Sequence, residues 1–347
     1  MNLNITTNVL MDIGILQSYF FKNELKNTLI LIDVNVVNNA IIKETLRLFK
    51  QKSVLLVDRE PTVADVNAAV KQYPQTENII AVGGGSSMDL GKAIAVTMTN
   101  GGDAGKLRGR NTVTRPGLPI IVAPTIPGTA AEFSASVVLN GDGYKLGIHS
   151  PYLRPEVALV DPHFFASLKA DIGIPVLLDG YIHSIECLQG IIGTETSRAS
   201  CRNVVAIFNE IVKSGYHPED IKWCQLAYYA NYISAFSLLG GSLGAVHALS
   251  YGVSNAMGIC HSKANLAALE QLMEFYGKYT QTAFTFCSQH EVDYTLNITG
   301  AVDRQRILTV MNATRDCSSA LWTNTLGDDY SNAMSDKFIK RIIDGIR

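Results

Sequence analysis

Two periodicities divide this chain. Up to Val160, short runs of β-branched and aliphatic residues alternate with stretches of helical spacing; from about Asp171 only the helical spacing persists. Leu29–Ile32, Ser53–Val57, Asn78–Val82 and Pro119–Ala123 read as strands. Helices read over Val37–Lys50, Thr62–Gln72 and from about Ser87 to Thr97. Val137–Leu139, Lys145–Ile148 and Val157–Val160 read as further short strands. Alternating β and α units imply a parallel sheet covered by helices. The second half reads as helices over Val176–Cys187, Arg198–Ser214, Asp220–Leu239, Gly244–Met257 and Lys263–Phe275. The boundary falls near Leu168–Asp171, just after Pro155 and Pro162. Residues 1–169 are therefore expected to form an α/β domain and residues 170–347 an all-helical one.

From Gln225 to Ser262 there is no Asp, Glu, Lys or Arg. That length would span a bilayer. However, Asn231, Asn255, His247, His261, several serines and the Gly240–Gly241 break fit buried helices of a soluble domain better. The N-terminal MNLNITTNVLMDIG lacks a basic segment followed by a long apolar one, so no signal peptide is expected. A net charge of −2 offers no basic field for nucleic acid. The six cysteines, Cys187, Cys201, Cys224, Cys260, Cys287 and Cys317, show no CxxC pair. Reduced thiols in a cytoplasmic protein are the expectation.

The segment AVGGGSSMDLGKA follows a strand and opens a helix. Glycines let the backbone approach a ligand, and the free N–H groups of a helix start attract anions, a pyrophosphate above all. It is not GxGxxG, so the standard dinucleotide fingerprint is absent, and a tight strand-to-helix turn is the plain alternative. Asp89 and Lys92, one helical turn apart, read by themselves as a weak surface ion pair. Asp33, at the end of a strand, stands where an acid binds a ribose 2′-hydroxyl and favours NAD over NADP; a turn aspartate is the alternative. A second turn, APTIPGTAAEFS, carries Thr125, Gly128, Thr129 and Ser134, groups able to approach a phosphate or a nicotinamide amide.

Asp179 and His183 are spaced to leave one face of a helix, and His247 and His261 follow downstream. One histidine on an apolar helix is ordinarily a hydrogen-bonded core residue. One carboxylate and three imidazoles make a full ligand set for Fe²⁺ or Zn²⁺. His149, His163, His217 and His290 receive no role.

The order GGGSSMDLGK, PTIPGTAAE, KLGIHSPYLRPEVALVDP, DGYIHSIE, HALS and HSKAN resembles the iron-containing (group III) alcohol dehydrogenases, over roughly residues 10–275. The Asp-x3-His, His, His set is its most specific part. Dehydroquinate synthases, of related fold, carry a Glu and two His. The resemblance implies a dehydroquinate synthase-like architecture: an α/β domain that binds NAD(P), and an all-helical domain that holds the metal through Asp179, His183, His247 and His261. It implies pyrophosphate binding at Gly84, Gly85 and Ser86, with Asp89 near the nicotinamide and Thr125, Thr129, Ser134 and Lys145 near the cofactor. It also implies a homodimer.

This chain departs from the family pattern at TIPGTAAE, where TTAGTGSE is commoner, and at Tyr251, where many members carry a histidine four residues after the third ligand. His261 is followed by Ser262 rather than the usual Gly. KLGIHS and YIHSIE are similar to enzymes that oxidise C8 of 3-deoxy-manno-octulosonate in cell-surface sugar biosynthesis. The expected activity is hydride transfer between NAD(P) and an alcohol, aldehyde, polyol or sugar. The cation would lower the alcohol's pKa, and Tyr251 is a candidate for the proton's path. The alternatives are a sugar-acid alcohol oxidase of that octulosonate type and a non-catalytic binding protein on the same fold.

Overall fold

The computed structural model describes residues 7–23, 25–48, 52–141, 144–166, 170–217, 220–296, 298, 300–314, 319–330 and 335–346. The chain divides into two compact units, Asn2–Ser167 and Leu168–Arg347, with Met1 grouped with the second.

The first unit is built on six strands: β1 (Asn8–Met11), β2 (Thr28–Asp33), β3 (Lys52–Val57), β4 (Asn78–Gly83), β5 (Ile120–Pro124) and β6 (Val157–Val160). Their order across the sheet is β1-β6-β5-β4-β2-β3, and every pairing is parallel. Strands covered on both faces read as unbroken apolar runs. Accordingly Leu29–Ile32, Ile79–Val82 and Ile120–Ala123 are all buried. At the β3 edge the cover ends, and Val54 and Leu56 are exposed. From β2 the chain steps outward to β3, then returns to β4 on the other side of β2. The order therefore reverses between β2 and β4, and in such sheets the carboxyl ends at the reversal form the ligand crevice. Asp33 closes β2 there and Gly83 closes β4.

The helices here are α1 (Ile15–Lys22), α2 (Ala40–Leu46), α3 (Val63–Gln72) and α4 (Gly85–Thr99). The helix expected over Val37–Lys50 is shorter, because Asn39 caps it: its side chain accepts the N–H groups of Ile41 and Ile42. Thr62 and Asp65 form a reciprocal capping box at α3. In α4, Ser87, Met88 and Leu90–Thr97 are buried, and a Cβ on Gly91 would lie 3.2 Å from that of Ala81. Helix and sheet thus meet at glycine distance. The plain alternative for Asp89 and Lys92, a surface ion pair, does not hold: Lys92 is fully buried. Its ammonium donates to the Ala131 carbonyl (3.0 Å) and to Ser134 Oγ (2.9 Å), 3.4 Å from Asp89 Oδ1.

Among the described residues of the second unit, the elements are helices apart from one bridge between Gly193 and Gly241. Five matter for the site: α5 (Ala170–Gln189), α6 (Glu195–Ser214), α7 (Ile221–Gly240), α8 (Ala245–Met257) and α9 (His261–Gln271). The charge-free stretch falls in α7, α8 and the start of α9. Ala227, Tyr228, Ala230, Val246, Leu249 and Val253 from it are buried. Among the described residues no helix is long and apolar enough to cross a membrane.

Candidate metal centre and glycine-rich turn

Three side chains on α5 share one stripe: Asp179, His183 and Glu186, all buried. Positions i, i+4 and i+7 stack on one helical face. Asp179 and His183 were expected at a site; Glu186 was not. It lies in the DGYIHSIE motif at the next turn of the same face, so the spacing held the signal.

Glu186 meets the start of α8, where backbone N–H groups lack helical partners. Its Oε1 accepts the N–H of Val246 at 2.7 Å and, more weakly, that of His247 at 3.3 Å. A Cβ on Gly244, just before this helix, would lie 3.1 Å from the same oxygen and 2.5 Å from Thr325 Oγ1, so only glycine allows the approach. The other carboxylate oxygen, Oε2, accepts from His247 Nδ1 at 2.5 Å. This bond fixes the tautomer. With a proton held on Nδ1, Nε2 is the nitrogen that faces Asp179 Oδ1, 3.2 Å away, and a cation bound there would take the place of its proton.

His183 Nε2 lies 3.5 Å from the same oxygen, and its Nδ1 is buried without a partner. Asp179, His183 and His247 thus bring ligand atoms within 4.8 Å of one another, close enough to share an ion. His261 stands a step further out. The chain turns at Gly258, in the left-handed region at φ +66, and Ser254 Oγ donates to the Ile259 carbonyl. His261 then faces α8: Nδ1 is 3.5 Å from Ser250 Oγ, and the ring centroid is 5.4 Å from that of His247. Its Nε2 lies 3.3 Å from Asn265 Nδ2, the amide nitrogen that donates to Asp179 Oδ1 at 2.6 Å. Tyr251 stacks on the half-buried His261 with centroids 5.0 Å apart and is 45% exposed, so these two residues form the open side of the cluster.

The electrostatics fit a cation. Burial, the largest influence on His247, opposes its positive form, but Glu186 and Asp179 outweigh it and bring its pKa up to about 10. Burial also works against an ionised Asp179, yet His183 and the hydrogen bond from His247, with His261, hold its carboxyl well below the usual range. Burial pushes the His183 pKa down, against the pull of Asp179, and so favours the neutral form that ligates a metal. One carboxylate and two imidazoles converging on one point, with a second carboxylate behind His247 and a buried imidazole nitrogen unpartnered on His183, suit a divalent ion.

In the first unit, Gly83 is required by the chain itself. Its φ is +154, and a Cβ would lie 2.5 Å from Ser87 Oγ and 2.8 Å from Asp33 Cβ. Gly84 and Gly85 differ. Gly84 has an ordinary φ of −82, and Cβ atoms at the two would have nearest neighbours at 3.6 Å and 3.4 Å, the latter in Thr129. Nothing in the protein's own packing demands glycine at Gly84. No side chain caps α4, Ser86 is half-buried in its first turn, and the hydroxyls of Ser87 and Thr125 are buried without partners. Ser87 was missed in the sequence because serine at a helix start is so often only a cap. The backbone and hydroxyls suit an anionic phosphate. Asp33 Oδ1 accepts from the backbone and side-chain N–H of Asn35, each at 2.8 Å. Asp89 Oδ2 accepts the N–H of Val138, and the Ser134 hydroxyl donates to the Ser136 carbonyl, so both serve the protein's own network. Lys145 lies in a two-residue strand, and its side chain falls outside the described residues.

A parallel sheet with this order, followed by a mostly helical unit with a buried carboxylate–imidazole cluster, is the dehydroquinate synthase-like, iron alcohol dehydrogenase fold. A solved sulfoacetaldehyde reductase from Bifidobacterium kashiwanohense, in complex with NAD⁺, superposes with a TM-score of 0.82 at 17% identity, covering 99% of this chain and 98% of that one. The chain belongs to the iron-containing alcohol dehydrogenase family: residues 12–162 match that family, and residues 175–344 match its C-terminal part. It is 24% identical over 260 residues to alcohol dehydrogenase 4 of Schizosaccharomyces pombe, covering 72% of this chain and 62% of that protein. It is 27% identical over 221 residues to the NAD-dependent methanol dehydrogenase of Bacillus methanolicus, covering 62% of this chain and 58% of that one. The matches thus span less than two thirds of the length of these two relatives.

Proposed function

We propose that this chain is a metal-dependent alcohol dehydrogenase that exchanges a hydride between NAD(P) and a primary or secondary alcohol. The observation that carries this reading is the convergence of Asp179, His183 and His247, with Glu186 keeping the His247 proton on the outward nitrogen. In this reading Asp179, His183, His247 and His261 hold Fe²⁺ or Zn²⁺. Such an ion supplies Lewis acidity, lowering an alcohol's pKa or polarising an aldehyde carbonyl. Asp179 offsets part of the ion's charge. Tyr251, open to solvent beside His261, passes the alcohol proton toward water.

In the first unit, Gly84, Gly85 and Ser86 bind the pyrophosphate through backbone N–H groups, and Thr125 and Thr129 flank it. Asp33 selects NAD by hydrogen bonding a 2′-hydroxyl and repelling a 2′-phosphate. The named NAD dependence of the Bacillus methanolicus relative supports the same preference. Asp89, Ser134 and Lys145 act with the cofactor in this reading, the first two by holding the 130–138 segment through Lys92. The substrate is a small alcohol, aldehyde, polyol or sugar, and the enzyme works as a cytoplasmic homodimer. KLGIHS and YIHSIE favour a second reading, oxidation of a sugar acid such as 3-deoxy-manno-octulosonate at C8.

The test is metal analysis of the purified protein followed by NADH absorbance with a panel of alcohols and sugars. The expected result is one equivalent of Fe, Zn, Mn or Co, with turnover abolished in His261→Ala. Absence of metal, with no restoration on adding it, leaves only the non-catalytic binding protein. Turnover of sugar acids only with an added electron acceptor other than NAD(P), read as reduction of that acceptor, favours the second reading.

A further inference from the structure

Asn265 is fully buried one turn along α9 from His261. Its amide nitrogen donates to Asp179 Oδ1 at 2.6 Å and lies 3.3 Å from both His247 Nε2 and His261 Nε2. The amide nitrogen therefore faces three atoms that a cation would use. The amide oxygen has the opposite fate: it is buried with no hydrogen-bond partner. Buried polar atoms are nearly always paired, so an orphan carbonyl beside a ligand cluster calls for an explanation.

We propose that Asn265 is a positioning residue of the cation centre, with a side-chain amide that works in two orientations. With nitrogen inward, it draws Asp179, His247 and His261 together. An N–H dipole and a cation cannot share that point, whereas a carbonyl dipole and a cation attract. Half a turn about the terminal side-chain torsion exchanges the two at nearly constant shape, and that torsion is broad and roughly two-fold. Oxygen inward gives the orphan carbonyl a charge to face and adds a hard oxygen to the cation's surroundings. Asn265 thereby strengthens cation binding. This inference rests on the reading of the cluster as a cation centre.

Co²⁺ is the probe, its Kd measured by chelator competition and its visible absorption recorded, in the full-length wild type, Asn265→Ala and Asn265→Asp. The expected result is a Kd at least tenfold weaker in Asn265→Ala, at least tenfold tighter in Asn265→Asp, and a changed Co²⁺ spectrum in both. A measurement without a variant accompanies it: in wild type labelled with ¹⁵N-asparagine, the Asn265 side-chain N–H₂ signals move when Zn²⁺ is added. Binding of Co²⁺ by Asn265→Ala as tight as wild type or tighter overturns the proposal, since the amide would then only compete. So do unmoved N–H₂ signals in wild type that has bound Zn²⁺. Failure of wild type to bind Co²⁺ or Zn²⁺ at all overturns the cation reading and this inference with it, and is recognised because no variant is involved.

Discussion

Glu186 Oε2 lies 2.5 Å from Nδ1 of His247, while the same carboxylate's other oxygen accepts the backbone N–H of Val246 at the start of α8. One side chain thus caps a helix and sets the tautomer of a candidate ligand. Glu186→Gln separates the two duties. The helix start still needs an acceptor, so the amide oxygen faces it and the N–H₂ faces His247. His247 then accepts at Nδ1 and carries its proton on Nε2, aimed at Asp179. The expected outcome is cation affinity reduced by about 10–100-fold, the usual cost of disturbing a partner behind a ligand. Chelator competition measures it, with circular dichroism confirming the helices. An unchanged Kd would show that the tautomer is set elsewhere.

Gly83 and Gly84 are neighbours with opposite expectations. Gly83→Ala forces a Cβ to 2.5 Å from Ser87 Oγ at a φ of +154, so it should lower stability by about 1–3 kcal/mol. Gly84→Ala meets only an ordinary contact at 3.6 Å and a φ of −82, so stability should stay within about 0.5 kcal/mol. The same Gly84→Ala should weaken NADH binding more than tenfold, because its methyl takes space meant for a phosphate. Urea denaturation and NADH fluorescence titration read the two effects. NADH affinity unaltered in Gly84→Ala would remove the turn from the cofactor site.

Much of this was legible in the sequence, and the exceptions have physical causes. The central strands announced themselves because burial on both faces leaves unbroken apolar runs, as in Leu29–Ile32 and Ile120–Ala123. Strand β1 did not: NVLM is short, and it is a strand because it pairs with Val157–Val160, nearly the whole first unit away. Asp179 and His183 were legible from helical spacing, and Glu186 was legible by the same rule one turn later. Asn265 was not, because a helical asparagine gives no sign of which atoms it faces. The burial of Lys92 was not legible, because an acid and a lysine one turn apart look alike on a surface and in a core. The apolar run AIAV that follows it marks a helix covered all round.

Lys92 joins Asp89, Ala131 and Ser134 around one ammonium with no solvent access. Burial depresses the pKa of Lys92 and raises that of Asp89, and their mutual attraction opposes both shifts. Lys92→Met keeps the stem's volume and removes the charge, leaving the half-buried Asp89 carboxylate with only the Val138 N–H as a partner. A loss of about 1–3 kcal/mol is expected, the cost of leaving a partly desolvated polar group short of a partner. The urea midpoint of the variant gives the value. A loss below about 1 kcal/mol would mean that Asp89 takes up a proton or reaches water.

Cys187, on α5, is hydrogen-bonded with Cys201 of α6, and that bond is the largest influence on its thiol. Burial opposes ionisation, while Ser197 and the Arg198 charge favour it, and the pKa comes down to about 6 from an ordinary 9. A depressed acid contributes stability as its anion. That contribution is complete above pH 9, declines as pH falls, and is gone below about pH 6. Cys201→Ala removes the leading cause, so its stability should fall behind wild type as pH rises from 6 to 9 and match it more closely below 6. Thiolate absorbance at 240 nm provides the direct reading: a step near pH 6 in wild type, absent in Cys187→Ala and moved upward in Cys201→Ala. A wild-type titration with no step below pH 8 would show that the two sulfurs do not share a proton as the structure has them.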